Sequence, residues 1–268
     1  MNPNRRDVLG MLGALLATRQ AGAQPAALDF AALDHVEFTV SDIEKSLAFY
    51  TRIFGSMVMK NNKTTRRYIK LGSAYIALDH AVQIRVDHFC AGINRFDIGA
   101  VHAFLQSQGV AWRDFPSGKD LAVADADGTR TQLATSSGWE QLKTGTASPE
   151  AVSAAAPVFE PTGLDHILLN VSDPEPAAAF YAKIFGPVTR RNNNRIWFQV
   201  GTSRVGLLKT PEGARPGVNH YCVSAAAFDY DTAVKRLAEA GAKVEKPEVA
   251  GAPEFRDPDG FLVQVQKA

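Results

Sequence analysis

The chain is a duplication, and nothing else in it constrains the fold as strongly. LDHVEFTVSDIEKSLAFYTRIFG (33–55) returns as LDHILLNVSDPEPAAAFYAKIFG (164–186), an offset of 131. VDHFCAGINRFD (86–97) returns as VNHYCVSAAAFD (218–229), an offset of 132, and Asp125-Ala-Asp-Gly128 returns as Asp257-Pro-Asp-Gly260 at that same offset. Asn61-Asn62 is echoed by Asn192-Asn193-Asn194. Self-similarity at a fixed spacing means copies of one structural unit. The expected halves are 31–142 and 163–268. Residues 143–162, rich in Ala, Pro, Ser and Thr, read as the linker.

Each half reads as a strand, a helix and further short strands, twice over. Val36, Phe38 and Val40 alternate with His35, Glu37 and Thr39, the period of a strand. Ser41 to Glu44 and Ser172 to Glu175 read as capping boxes with the serine as cap, and Pro174 suits a first helical turn. The helices carry Phe49-Tyr50 and Phe180-Tyr181 toward a core and end at Gly55 and Gly186. Second helices are predicted from about Asp97 to Gln108 and Asp229 to Ala240, and last strands over Arg130 to Ala134 and Phe261 to Gln266. The expected architecture is α+β, four β-α-β-β-β units in tandem.

These motifs together resemble the vicinal oxygen chelate superfamily, which includes glyoxalase I, extradiol ring-cleaving dioxygenases and the bleomycin resistance proteins. The resemblance covers residues 30–268. It implies two cupped mixed sheets, each made of two β-α-β-β-β units, with the cup as the site. It fixes a fold more than a reaction, because one fold hosts many chemistries.

Three polar side chains recur at matching places. His35, His88 and Gln132 are spaced 53 and 44 residues apart; His166, His220 and Gln264 are spaced 54 and 44. In metal-dependent members these strand positions supply His, His and Glu, so the resemblance implies a divalent ion (iron, manganese, zinc, nickel or copper) on these six residues. Such a face leaves positions open for substrate or dioxygen. Both halves depart from the pattern by placing Gln where Glu is expected. A glutamine oxygen can ligate, but it is uncharged and cannot serve as a general base. The sequence before Asp257, Ala-Pro-Glu-Phe-Arg, lacks the His and Tyr of extradiol enzymes.

Strand alternation places Glu37 on the face of His35, as a base or an extra ligand, and Cys90 and Cys222 two residues after His88 and His220. The same rule turns Asp34, Asp87 and Asp165 away from the cups. Both cysteines read as small buried side chains, with one disulfide or none between them.

Arg5 and Arg6 precede an apolar run from Val8 to Ala17, and Ala21-Gly22-Ala23 offers a cleavage site. Residues 1–23 therefore read as an export signal. The paired arginines look like a twin-arginine signal, and the expected location is periplasmic or secreted. The formal net charge is +1 and drops to about −1 without that segment. With no basic block present, nucleic acid is excluded as a partner. The 46% hydrophobic content excludes a disordered chain, and no run approaches the roughly 20 apolar residues of a spanning helix.

The expectation for function is a metal-dependent lyase, isomerase or oxygenase acting on a small oxygenated molecule. The alternative is a small-molecule-binding protein of the bleomycin-resistance kind, with no chemistry. Either acts as a monomer or homodimer, since four units in one chain complete both cups.

Overall fold

The computed structural model describes residues 27–152, 156–192 and 194–268; residues 1–23, read above as an export signal, lie outside them. In the first half, β1 (Phe30–Val40), α1 (Ile43–Phe54), β2 (Val58–Asn61), β3 (Arg67–Leu71) and β4 (Ala74–His80) form one unit. The second unit comprises β5 (Arg85–Ile93), α2 (Ile98–Ser107), β6 (Arg113–Asp114), β7 (Leu121–Ala124) and β8 (Arg130–Thr135). A short helix α3 (Gly138–Gln141) and a strand β9 (Ala147–Glu150) follow. The second half repeats the plan in β10 (Pro161–Val171), α4 (Pro174–Phe185), β11 (Arg190–Asn192), β12 (Arg195–Val200) and β13 (Ser203–Lys209). It closes with β14 (Gly217–Ala225), α5 (Tyr230–Glu239), β15 (Lys243–Glu245), β16 (Glu254–Arg256) and β17 (Leu262–Lys267).

Each half forms one mixed sheet, in the orders β6-β7-β8-β5-β1-β4-β3-β2-β9 and β11-β12-β13-β10-β14-β17-β16-β15. The two units of a half join through their first strands, β1 antiparallel to β5 and β10 antiparallel to β14. The α+β plan of two tandem cups is therefore realised, one cup per half of the chain. Among the described residues no helix is long and apolar enough to cross a membrane.

Alternation along β1 separates the two faces of its sheet. Val36, Phe38 and Val40 are fully buried on the outer face, where Phe38 meets Tyr221 and Phe261 of the other half at 5.3 and 4.9 Å. One apolar core thus runs between the sheets, with α1 packed inside it through Phe49 and Phe54 against Phe255.

The repeated motifs reach across this interface reciprocally. Tyr50 donates to Asp257 at 2.7 Å, and Tyr181 donates to Asp125 at 2.9 Å. Ser41 donates through its hydroxyl to Asp259, and the Ser172 amide donates to Asp127 at 2.7 Å. The helix caps consequently fall one residue later than expected. Asp42 accepts from the Lys45 amide and Asp173 from the Glu175 amide, because Ser41 and Ser172 are committed to the opposite half.

The stretch read as a linker carries β9, which pairs antiparallel with β2 and adds a ninth strand. Buried Arg67 draws it in, its Nε lying 2.5 Å from a Glu150 oxygen. The preceding α3 inserts Trp139 into the N-terminal cup, where it packs with Met59, Tyr68, Tyr75, Ala77 and Ala147.

Candidate metal centre

Register brings the repeated polar residues together. In the N-terminal cup His35 pairs with Cys90, Glu37 with His88, and Cys90 with Gln132. In the C-terminal cup His166 pairs with Cys222, Leu168 with His220, and Cys222 with Gln264. All four histidines and both glutamines are buried. His35 Nε2 lies 3.3 Å from His88 Nε2, and His166 Nε2 lies 3.1 Å from His220 Nε2. Gln132 Oε1 sits 2.9 Å from His88 Nε2.

The aspartates before the histidines do not point away, and β-bulges are the reason. Between Leu33 and His35 the partner strand advances by one residue, from Ala91 to Cys90, which leaves Asp34 as the extra residue of a bulge. Asp87 is the extra residue opposite Glu37 and Phe38. Asp165 and Asn219 occupy the same places in the second half. A bulge breaks strict alternation and re-aims its side chain. Each of the four then accepts from Nδ1 of the histidine that follows it: Asp34 at 2.8 Å, Asp87 at 3.0 Å, Asp165 at 2.5 Å and Asn219 at 2.8 Å.

These partners determine the tautomers. A carboxylate only accepts, so Nδ1 of His35, His88 and His166 carries the proton; the Asn219 oxygen does the same for His220, since its amide nitrogen donates to Asn170 at 3.1 Å. In the neutral rings every Nε2 is left as a lone pair, facing another lone pair. Burial, then His166 and Arg195, pushes His220 down to about 3, so that ring stays neutral. Gln132 is fixed similarly. Its amide nitrogen donates to Asp120 at 2.6 Å, which directs its oxygen toward His88. Gln264 donates to Glu254 at 2.8 Å.

The cups differ in charge. Glu37 is buried, with Oε2 4.0 Å from His88 Nε2 and Oε1 3.0 Å from Arg66 Nη2. Burial alone would lower the Arg66 pKa, but the Glu37 charge and Asp79 reverse this and keep the guanidinium charged. The matching residue of the second cup is Leu168, so its histidine pair has no carboxylate beside it on that strand.

Acceptors that converge without a donor between them describe a cation site. Two nitrogens each about 2.1 Å from a shared ion lie roughly 3.0–3.4 Å apart at octahedral to tetrahedral angles, which matches both histidine pairs. The donor set therefore fits a divalent metal in the N-terminal cup on His35, His88 and Gln132, with the Glu37 carboxylate beside His88. The C-terminal cup offers His166 and His220, with Gln264 nearby. Cys90 and Cys222 are free, buried and in different cups, and burial pushes both thiols well above their ordinary range. They are therefore thiols rather than thiolates, and no disulfide joins them.

Sequence reading missed the bulge residues, Arg66, Asp120, Glu254 and Trp139. For Asp34, Asp87 and Asp165 a signal existed, an acidic residue directly before each of three duplicated histidines. For Asp120 and Glu254 none did, since their link to Gln132 and Gln264 appears only once the strands pair.

A family model described as Glyoxalase/Bleomycin resistance protein/Dioxygenase superfamily matches residues 32–132 and 163–265. Among solved structures, the 2,3-dioxygenase LapB from Pseudomonas sp. KL28 is 14% identical with a TM-score of 0.69, covering 91% of this chain and 94% of that one. The Mn(II)-bound glyoxalase from Novosphingobium aromaticivorans is 17% identical with a TM-score of 0.66, covering 90% and 83%. BphC, a halotolerant catechol dioxygenase, is 14% identical with a TM-score of 0.65, covering 90% and 87%. At these identities the likeness is one of fold. No curated protein matches the chain in sequence.

Proposed function

The chain belongs to the glyoxalase/bleomycin resistance protein/dioxygenase superfamily, and from that premise we propose that it is an exported metalloenzyme acting on a small oxygenated molecule. Its N-terminal cup holds one divalent ion on His35, His88, Gln132 and Glu37. One observation carries this reading: two imidazole lone pairs and an amide oxygen converge, each held by a partner behind it, and a Glu37 carboxylate oxygen stands 4.0 Å from His88. Nitrogen and oxygen donors suit iron(II), manganese(II), nickel(II), zinc(II) or copper(II).

When bound, the ion supplies a Lewis acid for two adjacent substrate oxygens and stabilises charge that develops on them. The chain's own residues prepare the place. Asp34 and Asp87 orient the imidazoles, and Asp120 orients the Gln132 oxygen. Arg66 takes one oxygen of Glu37 and leaves the other turned toward His88. Tyr75, stacked on His35 at 4.5 Å and covered by Trp139, keeps water off that side.

Asp120→Ala should weaken binding of the ion by about 10-fold while leaving the fold intact, in line with the effect of removing a partner behind a ligand. Competition against a metal-sensitive dye reads this directly, and unchanged affinity would remove Asp120 from the account.

Metal-dependent turnover of a catechol or a hemithioacetal is expected from the wild-type chain and not from a His35→Ala/His88→Ala double variant. Turnover that survives in the double variant sinks the reading. Export rests on residues 1–23. An Arg5→Lys/Arg6→Lys variant should accumulate in the cytoplasmic fraction while the wild type reaches the periplasm, and equal distribution of the two would contradict it.

A second reading has its own support in the C-terminal cup. Leu168 stands where the first cup has Glu37, and burial keeps His220 neutral. That cup fits a small-molecule binding site without chemistry, or a weaker second ion.

A further inference from the structure

Between the two halves runs a groove of about 610 Å³ that is open to His88. The N-terminal half lines it with Arg85, Asp87, His88 and Arg130, and the C-terminal half with Arg215 and Phe261. Three guanidinium groups thus face a single cavity at the edge of the candidate metal centre.

The carboxylates present do not use up this charge. Asp87 Oδ1 takes Arg85 at 2.9 Å, while Oδ2 takes Arg130 and the His88 Nδ1–H. Both oxygens of Asp87 are thus committed. Asp127, also on the groove wall, accepts from the Ser172 amide. Arg215 is exposed and makes no ion pair among the described residues. Three positive charges against two negative ones leave the lining at about +1, which suits a carboxylate better than a phosphate carrying nearly two negative charges.

The groove shares Arg130 with a second cavity of about 400 Å³, whose wall is largely apolar: Trp112, Phe115, Pro116, Ala122 and Ala124. Arg130 lies two residues before Gln132 on β8 and pairs with Ala124, on the cup side of the sheet. The Phe115 ring is 6.2 Å from the His88 ring. An apolar compartment, a cationic compartment and the histidine pair therefore meet at one place.

We infer that this junction binds a small ligand with an apolar body and a carboxylate, the carboxylate received by Arg130 with Arg85 and Arg215 from both halves of the chain. Guanidinium forks match carboxylates in geometry as well as charge. The inference extends the proposed function by naming its substrate class, and it rests on that reading only for the position of the reacting end.

The test is calorimetric titration of the full chain with benzoate at low salt, as purified and again after the metal has been removed. Saturable binding is expected in both forms, with none for benzyl alcohol, which has the same shape without the charge. Arg85→Ala and Arg215→Ala alter exposed side chains and should each weaken benzoate about 5-fold. Equal binding of benzoate and benzyl alcohol would overturn the inference. So would arginine variants that bind like the wild type, or inorganic phosphate binding more tightly than benzoate. A chain that binds benzoate but no metal keeps this inference and loses the proposed function. A chain that binds metal but not benzoate does the reverse.

Discussion

His88→Ala is expected to release the ion of the N-terminal cup, weakening it by more than 100-fold. His88 is the hub of that cup: its Nε2 lies within 3.3 Å of His35 and 2.9 Å of Gln132, and 4.0 Å from the Glu37 carboxylate. Removing a residue that only orients a ligand costs about 10- to 100-fold in affinity, and removing a ligand costs more. His220→Ala should leave this tight ion in place, because it belongs to the other cup and that cup has no counterpart of Glu37. The contrast between the two variants is the informative result. Equal losses would mean that the ion sits elsewhere, or that the cups are equivalent in spite of Leu168. Equilibrium dialysis against manganese(II), with bound metal counted by elemental analysis, separates these outcomes.

Gly201→Ala is expected to destabilise the protein by about 3 kcal/mol, a fall in Tm of roughly 6–12 °C for a chain of this size. Gly201 turns β12 into β13 at φ +58°, and a methyl group there would lie 1.9 Å from the Ala31 oxygen in the opposite half. The neighbouring Thr202 amide donates to that same oxygen at 2.8 Å, so backing away also breaks a hydrogen bond between the halves. Gly72 makes the reciprocal approach to Thr162 at φ +61°. Gly128→Ala is the control. Its φ is +84° but nothing lies within 4 Å, so it carries only the left-handed backbone penalty of about 1–2 kcal/mol. Thermal unfolding that moves equally in both variants would show that the close approach between the halves contributes nothing.

The duplication made the architecture readable. Two copies of strand, helix and strands were visible in the repeated motifs, and the structure arranges them as two cups. The histidines and glutamines were readable for the same reason, since residues at equivalent positions of equivalent units arrive at equivalent places. What stayed hidden depends on contacts between segments far apart in the chain. Strand alternation assumes an unbroken ladder, and it misplaced Asp34, Asp87 and Asp165 because each is the extra residue of a bulge. The acidic residue before each of these histidines was legible, but the bulge that turns it inward forms only when the strands pair.

Tyr50 and Tyr181 read as core residues and are buried, but their hydroxyls serve the junction between the halves. Ser41 and Ser172 read as caps because their spacing to Glu44 and Glu175 is right, yet Asp259 and Asp127 of the opposite half compete for them. Trp139 gave no signal, because the cluster that receives it is assembled from β2, β3, β4 and β9.

The central claim is that a cation belongs among His35, His88, Gln132 and Glu37. X-ray absorption on the chain purified without chelator or affinity tag tests it most directly, with elemental analysis of the same sample. The account predicts one tightly held divalent ion per chain, bound by two imidazoles and oxygen donors and lost in His88→Ala. Protein that stays metal-free when offered iron(II), manganese(II), nickel(II) and zinc(II) would contradict it, as would an ion coordinated by sulfur.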